Sequence, residues 1–125
     1  MATQISPYDY DLPETRDINA GDSRTFAFTV VDADGNPVDI SNATVTWALF
    51  NRPYQDDPAD AVLSGDDADV EVVTDNRVDT TAGEFEIRLE PSATEELWGE
   101  FTQRPEVVQL GGSTASWRGT VVVSA

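Results

Sequence analysis

The side chains of this sequence that could do chemistry are carboxylates and aromatic rings, because cysteine and histidine are both absent. Thiol nucleophiles, zinc sites of the cysteine or histidine type and Ser-His-Asp triads are therefore excluded. Aspartate and glutamate together number 24, so a carboxylate pair suited to glycoside hydrolysis could be chosen almost anywhere and carries no information. We expect a protein that is not an enzyme, with no catalytic residue, no cofactor and no resident metal ion.

Two acidic segments could bind hard cations. The first, Asp32-x-Asp34-Gly35-Asn36, has glycine as its fourth residue and Ala43 as its twelfth, whereas an EF-hand needs glycine at the sixth position and glutamate at the twelfth. A polar hairpin turn is the favoured interpretation. The second segment, residues 52–69, holds six aspartates and two prolines. It predicts a solvated acidic loop with at most a short strand at 61–64, and specific cation binding is the less favoured alternative.

The first 14 residues predict an extended N-terminal arm. Tyr8, Tyr10 and Leu12 alternate with aspartates, and a proline stands on either side, at positions 7 and 13. An extended chain with this pattern has one apolar edge and one solvated edge, and the prolines limit its pairing with a sheet. We predict that Tyr8, Tyr10 and Leu12 form a partner-binding site. The alternative, equally open, is that the arm packs on its own domain as a first strand.

The remainder of the chain, residues 15–125, predicts one β-domain. Apolar and polar residues alternate in short runs between turn residues, as they do in half-buried strands. About seven short strands with almost no helix indicate an antiparallel β-sandwich, with a small closed barrel as the alternative. The clearest predicted strands cover residues 23–32, 43–50, 70–74, 84–89, 100–110 and 116–123.

One short helical turn is predicted near residues 92–98. Ser92 and Glu95 have the spacing of a capping box, in which each side chain satisfies a free backbone amide of the other residue. We expect Leu97 and Trp98 to bury against the sheets. All three tryptophans of the chain are predicted to be core residues rather than a platform for carbohydrate.

The charge balance predicts the solvent in which the protein works. The formal net charge is −17, and all seven basic residues are arginine. Molar salt shortens the screening length to about 3 Å and quenches the self-repulsion of such a chain, so we expect a halophilic source. An acidic disordered tail is the alternative, but 39% of the residues are hydrophobic and they alternate in strand-like runs, which favours a folded domain.

The same composition argues against two classes of partner. Binding to nucleic acid requires a basic face, which seven scattered arginines do not provide. The apolar runs are far shorter than the roughly 20 residues that span a bilayer, and the N-terminus shows no basic region followed by an apolar stretch, so we expect neither a membrane partner nor secretory export.

The turn residues and their flanking strands resemble those of known proteins. Val31-Asp32-Ala33-Asp34-Gly35-Asn36-Pro37-Val38, followed by Ala43-Thr44-Val45-Thr46-Trp47, resembles the opening hairpin of bacterial immunoglobulin-like domains. It is also similar to small immunoglobulin-like virion structural proteins of tailed viruses, of the haloarchaeal type. The Gly21-Asp22 pair before the first strand and the closing strand Arg118–Val123 fit the same pattern.

This resemblance implies an immunoglobulin-like sandwich with a structural role. We expect a virion protein of a halophilic archaeal tailed virus, assembled in the host cytoplasm, that decorates the capsid or serves as a head or tail accessory domain. Its partners would be other virion proteins, with many copies on a symmetric assembly or a homo-oligomer. The alternative is a cellular immunoglobulin-like adhesion or carbohydrate-binding module of a halophile.

Overall fold

A computed structural model of the protein describes residues 2–12 and 15–124. Over these residues the chain forms ten strands, one short α-helix and two 3-10 turns, the turns being Pro58–Asp60 and Thr80–Ala82. In chain order the elements are β1 (Thr3–Ile5), β2 (Arg16–Asn19), β3 (Arg24–Val30), β4 (Thr44–Phe50), β5 (Leu63–Ser64), β6 (Val70–Val73), β7 (Glu84–Leu89), α1 (Pro91–Thr94), β8 (Gly99–Val108), β9 (Thr114–Ser116) and β10 (Gly119–Ser124).

The strands form two sheets that pack against each other as a sandwich. The four-stranded sheet has the order β1-β3-β7-β6, and the six-stranded sheet has the order β2-β10-β8-β4-β5 with β9 also paired to β8. Phe26 of one sheet lies against Trp47 of the other, with ring centroids 6.5 Å apart. The two sheets are separate, so the predicted all-β sandwich is confirmed and the closed barrel is not.

The apolar face of each predicted central strand lies in the core. The alternate residues of β3, β4 and β7 are buried because successive side chains of a strand point to opposite faces of its sheet. The short strand predicted within the acidic loop is β5, which pairs antiparallel with β4. The buried residues of the three central strands are Phe26, Phe28, Val30, Trp47, Leu49, Phe85, Ile87 and Leu89, together with Phe50 at the end of β4.

The N-terminal strands pair parallel to their neighbours, which differs from the antiparallel sandwich predicted. β1 runs parallel to β3, and β2 runs parallel to β10. A two-residue hairpin joins only antiparallel strands, and neither pair is joined by a hairpin. The chain instead runs along the edge of one sheet as β1 and then along the edge of the other as β2. No tight turn therefore requires either strand to run antiparallel to its neighbour.

The longest strand, β8, changes partner at Pro105. Residues Gly99–Gln103 pair with β10, whereas Glu106–Val108 pair with β9. Proline has no N–H for the ladder and is therefore tolerated in a sheet where pairing is interrupted. The interruption separates β9 from β10 and leaves Trp117 and Arg118 between them.

The helical turn begins earlier than the sequence pattern suggests. Glu90 is the N-cap and the helix covers Pro91–Thr94, because proline is well suited to the first helical position. The predicted capping box on Ser92 is therefore wrong. The prediction that Trp98 is buried is wrong as well: the helix ends one turn before it, and Trp98 is 75% exposed. No helix in the described ranges has the length and apolar character needed to cross a membrane.

Candidate functional site

The first part of the predicted arm belongs to the sandwich. Thr3–Ile5 is strand β1, and the Ile5 side chain is 1% exposed within the core. The arm is therefore not an independent segment over these residues, because its backbone completes the edge of the four-stranded sheet. The predicted boundary at residue 14 and the second flanking proline, Pro13, lie outside the described residues.

The tyrosine-bearing part that follows is held against the break between β9 and β10. The Trp117 indole Nε1 donates a hydrogen bond to the Ser6 carbonyl oxygen at 2.7 Å. The Arg118 amide donates to the Tyr10 carbonyl at 3.0 Å, and the Leu12 amide donates to the Arg118 carbonyl at 2.7 Å. The break at Pro105 thus leaves backbone groups near Arg118 that this segment satisfies.

The three predicted partner-binding residues have different environments. Leu12 is half-buried against the core, and its Cβ would lie 2.8 Å from a Cβ added at Gly119, so Leu12 packs on its own domain. Tyr8 and Tyr10 are 71% and 75% exposed. The structure therefore leaves the two tyrosine side chains accessible, and their binding to a partner stays a prediction.

A third tyrosine, from the acidic loop, lies beside the same arginine. Arg118 Nη1 donates to the Pro53 carbonyl at 3.1 Å and to the Gln55 carbonyl at 2.8 Å, and Tyr54, between these two residues, is 75% exposed. One arginine therefore bonds both to the loop on either side of Tyr54 and to the backbone of Tyr10. We call the exposed residues Tyr8, Tyr10 and Tyr54 the tyrosine surface.

Tyr54 was missed by sequence reasoning because it is 44 positions away from Tyr10 in the chain. A compositional signal was nevertheless present. The chain has three tyrosines and five phenylalanines; all three tyrosines are exposed and all five phenylalanines are buried. Tyrosine thus serves here as a surface residue, and phenylalanine supplies the aromatic part of the core.

An open groove of about 380 Å³ lies beside the tyrosine surface. The chain neighbours of Tyr10 and Tyr54 contribute to it, together with outward-facing residues of β8 and β10. Both apolar and polar residues line it, and Arg118 is the basic residue among them. The groove is lined by Asp11, Leu12, Thr15, Pro53, Thr102, Arg118, Gly119 and Thr120.

The rim of this surface is acidic. Asp9 and Asp11 flank Tyr10, while Asp56 and Asp57 follow Tyr54, and all four carboxylates are exposed. Arg118 Nη2 approaches Asp56 to 4.0 Å. Against these four carboxylates stand two arginines, Arg118 and the exposed Arg52, so the net charge of these residues is negative, in keeping with the charge of the whole chain.

Three of the carboxylates considered for cation binding hold turns. Asp32 Oδ1 accepts bonds from the amides of Asp34 and Asn36, each at 2.9 Å, which confirms the polar hairpin turn. In the acidic loop, Asp57 accepts from the Ala59 amide and Asp67 from the Ser64 amide. Among the described residues, no three carboxylates are grouped so that they could hold a metal ion.

The strongest electrostatic cluster lies away from the tyrosine surface, at the edge strand β6. Arg77 bonds to Glu71 at 2.5 Å and to Asp75 at 2.8 Å. The side-chain hydrogen bonds from Arg77, followed by its backbone amide, lower the pKa of Asp75 to about 2. The same guanidinium lowers the pKa of Glu71. The ion pairs that cause these pKa shifts connect a loop to its strand. They do not involve the residues that line the groove.

Comparison with known proteins finds similar folds among solved structures. No family model matches the chain, and no curated protein matches it. The chain is similar to the N-terminal domain of phage TP901-1 ORF48, with a TM-score of 0.63 and 13% identity, over 98% of this chain and 95% of that one. It is also similar to the N-terminal Ig1-2 module of the Drosophila receptor protein tyrosine phosphatase DLAR, with a TM-score of 0.53 and 13% identity. That match covers 89% of this chain and 45% of the longer one. The chain therefore has an immunoglobulin-like β-sandwich fold, which it shares with a domain of a phage protein.

Proposed function

We propose that this chain is a non-enzymatic structural protein of the virion of a halophilic, archaeal tailed virus. It would act as a capsid-decorating or head or tail accessory domain through contacts with other virion proteins. The observation that carries the proposal is the similarity to the phage domain, which extends over nearly the full length of both chains. A fold supports many functions, so the surface of this chain must supply the rest of the argument.

The exposed tyrosines support a role in protein–protein contact. Tyrosine and tryptophan are enriched among the residues that contribute most to binding energy, and a tyrosine ring adds contact area while only two χ angles are immobilised. Tyr8, Tyr10 and Tyr54 expose most of their surface, although tyrosine could have been buried with its hydroxyl bonded. A protein present in many copies on a particle would use such anchors.

The charge supports a halophilic source and argues against nucleic acid as the partner. At −17, the chain would repel a phosphate backbone. Exposed ion pairs such as those of Arg77 contribute little in molar salt, so assembly there depends on apolar and aromatic contacts. The tyrosine surface provides contacts of that kind.

A cellular adhesion or carbohydrate-binding module is the second candidate, and the similarity to a receptor's immunoglobulin module favours it. Carbohydrate platforms stack sugar rings on exposed aromatic faces. Trp47 and Trp117 are buried, however, and the exposed Trp98 lies at the opposite end of β8 from the hairpin that joins β8 to β9. Two of the three tryptophans are therefore inaccessible to a sugar ring.

The test is mass spectrometry of virus particles purified on a density gradient from the culture that supplies the gene. We expect peptides of this chain to co-purify with the capsid and tail proteins at a constant ratio across the particle peak. A host cytoplasmic enzyme, followed in the same fractions, controls for carry-over. If the chain remains in the host-protein fractions, or is found on the surface of uninfected cells, the virion role is wrong. Capsid, portal or tail genes beside this one would support it.

A further inference from the structure

We propose that the tyrosine surface and the groove beside it bind an extended, arginine-bearing segment of another protein. The inference depends on the proposed role in protein–protein contacts and names the chemistry of the partner. It is carried by Arg118, which bonds to the backbone of Tyr10 and to the loop on either side of Tyr54, and by the exposed carboxylates that adjoin these exposed tyrosines and Tyr8.

The surface is held in place before any partner arrives. Arg118 bonds to the backbone beside Tyr10 and on either side of Tyr54 through its amide and its guanidinium. Tyr8 follows Ser6, whose carbonyl accepts from the buried Trp117 indole. A site whose backbone is already fixed loses less conformational entropy on binding. The backbone segments that carry the three tyrosines are therefore held in place by hydrogen bonds, although they come from two separate parts of the chain.

The charge of the rim selects the partner's chemistry. The segments that carry the three tyrosines include four exposed aspartates, at positions 9, 11, 56 and 57. A guanidinium stacks on tyrosine faces and forms two parallel hydrogen bonds with a carboxylate. Lysine, a compact and strongly hydrated charge, does neither as well. Arginine therefore suits a surface of tyrosines and aspartates better than any other common side chain does.

The groove sets the shape of the occupant. Its volume is about 380 Å³, near the lower end of the range for ligand pockets, and it is open along the surface. The half-buried Leu12 and the exposed Pro53 give it apolar walls, against which the aliphatic stem of an arginine can pack. These dimensions suit a few side chains of an extended segment and are too small for a helix.

A second copy of this chain is a poorer occupant. Arg77, Arg88, Arg104 and Arg118 already pair with carboxylates of their own chain. Arg24 lies over the ring of Phe26, 6.0 Å from its centroid. A copy would therefore offer the groove mainly carboxylates, which are hydrogen-bond acceptors only and form no hydrogen bonds with the carboxylates of the rim. The complementary partner is a different, basic protein.

The experiment measures the binding of labelled synthetic peptides to the full chain in molar NaCl by fluorescence anisotropy. One peptide alternates arginine with alanine, and the other has glutamate in place of every arginine. We expect the protein to bind the arginine peptide in preference. We expect the double substitution Tyr10→Ala and Tyr54→Ala to weaken this binding by about tenfold or more.

Matched variants separate this site from general attraction to an acidic protein. Trp98→Ala removes a side chain that is as exposed as Tyr10 but lies outside the surface, and it should bind the peptide like the wild type. The pair Tyr10→Phe and Tyr54→Phe keeps the rings and should also retain binding. Equal affinity in the wild type and in the double alanine variant would show that net charge alone holds the peptide, and would overturn the inference.

Sedimentation of the same variants tests the competing occupant. If the wild type sediments as a dimer and the double alanine variant as a monomer, the surface binds a second copy and the inference is overturned. Detection of the chain in purified particles without tyrosine-dependent peptide binding would contradict this inference alone. Tyrosine-dependent binding by a chain that is absent from particles would contradict the proposed function alone.

Discussion

Replacing Trp117 with phenylalanine should loosen the attachment of the N-terminal segment to the sandwich. The indole is fully buried, and its Nε1 donates to the Ser6 carbonyl at 2.7 Å. That carbonyl keeps a second bond, from the Asp9 amide, so losing the indole donor costs the net value of one hydrogen bond, about 1 kcal/mol. Removing ring atoms from a buried site adds about 1–2 kcal/mol. The expected loss of stability is thus about 2–3 kcal/mol.

Thermal unfolding followed by circular dichroism measures this loss. For a chain of this length, 1 kcal/mol corresponds to roughly 4 °C, so the midpoint should fall by about 8–12 °C. Amide hydrogen exchange locates the effect. The Val31 amide, which donates to the Ile5 carbonyl at 2.7 Å, should exchange faster relative to the amides of the β3–β7 ladder.

The exposed Trp98 provides the matched control for this substitution. Trp98→Phe removes the same atoms from a side chain that is 75% exposed, and it should change the free energy of unfolding by less than about 0.5 kcal/mol. If Trp117→Phe unfolds at the wild-type midpoint, or if Val31 exchange is unchanged relative to the ladder, the indole bond does not hold the segment and the reasoning is refuted.

Three further predictions concern the backbone, the ion pairs and the charge. Gly83→Ala should lower the free energy of unfolding, measured by urea titration, by at least about 2–3 kcal/mol. The reason is that Gly83 has φ of 79°, and an added Cβ would lie 2.8 Å from the Val38 carbonyl oxygen and closer still to the Val30 carbonyl oxygen. Gly35→Ala, with φ of 83° and open space around it, is the control and should cost only about 1 kcal/mol; equal losses would contradict the clash. The pKa of Asp75, about 2, should rise toward its ordinary value of 3.8 in Arg77→Gln when followed by carbon NMR, and an unchanged titration would contradict the assigned cause. Because the folded-state pKa is depressed, the stabilisation by this carboxylate is present above pH 3.8 and is lost as the pH falls toward 2. Lowering the ionic strength from molar to about 0.01 M lengthens the screening distance to roughly 30 Å, so the thermal midpoint should fall reversibly, whereas an unchanged midpoint would contradict adaptation to salt.

Much of the central sandwich could be predicted from the sequence because strand periodicity is local. Phe26, Phe28 and Val30 alternate with polar residues, and a side-chain period of two can bury only one face of a strand. The turn at Gly35 was equally readable, since its residue types accept the required backbone angles. The predicted acidic loop and the β7 strand follow from the same kind of local information.

The helical corner shows where local rules conflict. Ser92 and Glu95 have the spacing of a capping box. Pro91, however, suits the first position of a helix, and the helix begins there, with Glu90 and not Ser92 as its N-cap. Once the helix ended at Thr94, Trp98 was left outside the core. Hydrophobicity alone could not reveal this, because an apolar residue is buried only where another layer covers it.

The acidic character, the all-β fold class and the absence of thiol and imidazole side chains could be read from the residues, since composition and alternation are properties of the chain alone. That Thr3–Ile5 completes a sheet could not be read in this way, because an edge strand is defined by the neighbouring strand with which it exchanges hydrogen bonds. The tyrosine surface was decided in the same way. Arg118 bonds to the segments of both Tyr10 and Tyr54 because Pro105 interrupts a ladder. Hydrogen bonds between distant segments leave no periodic trace in a sequence.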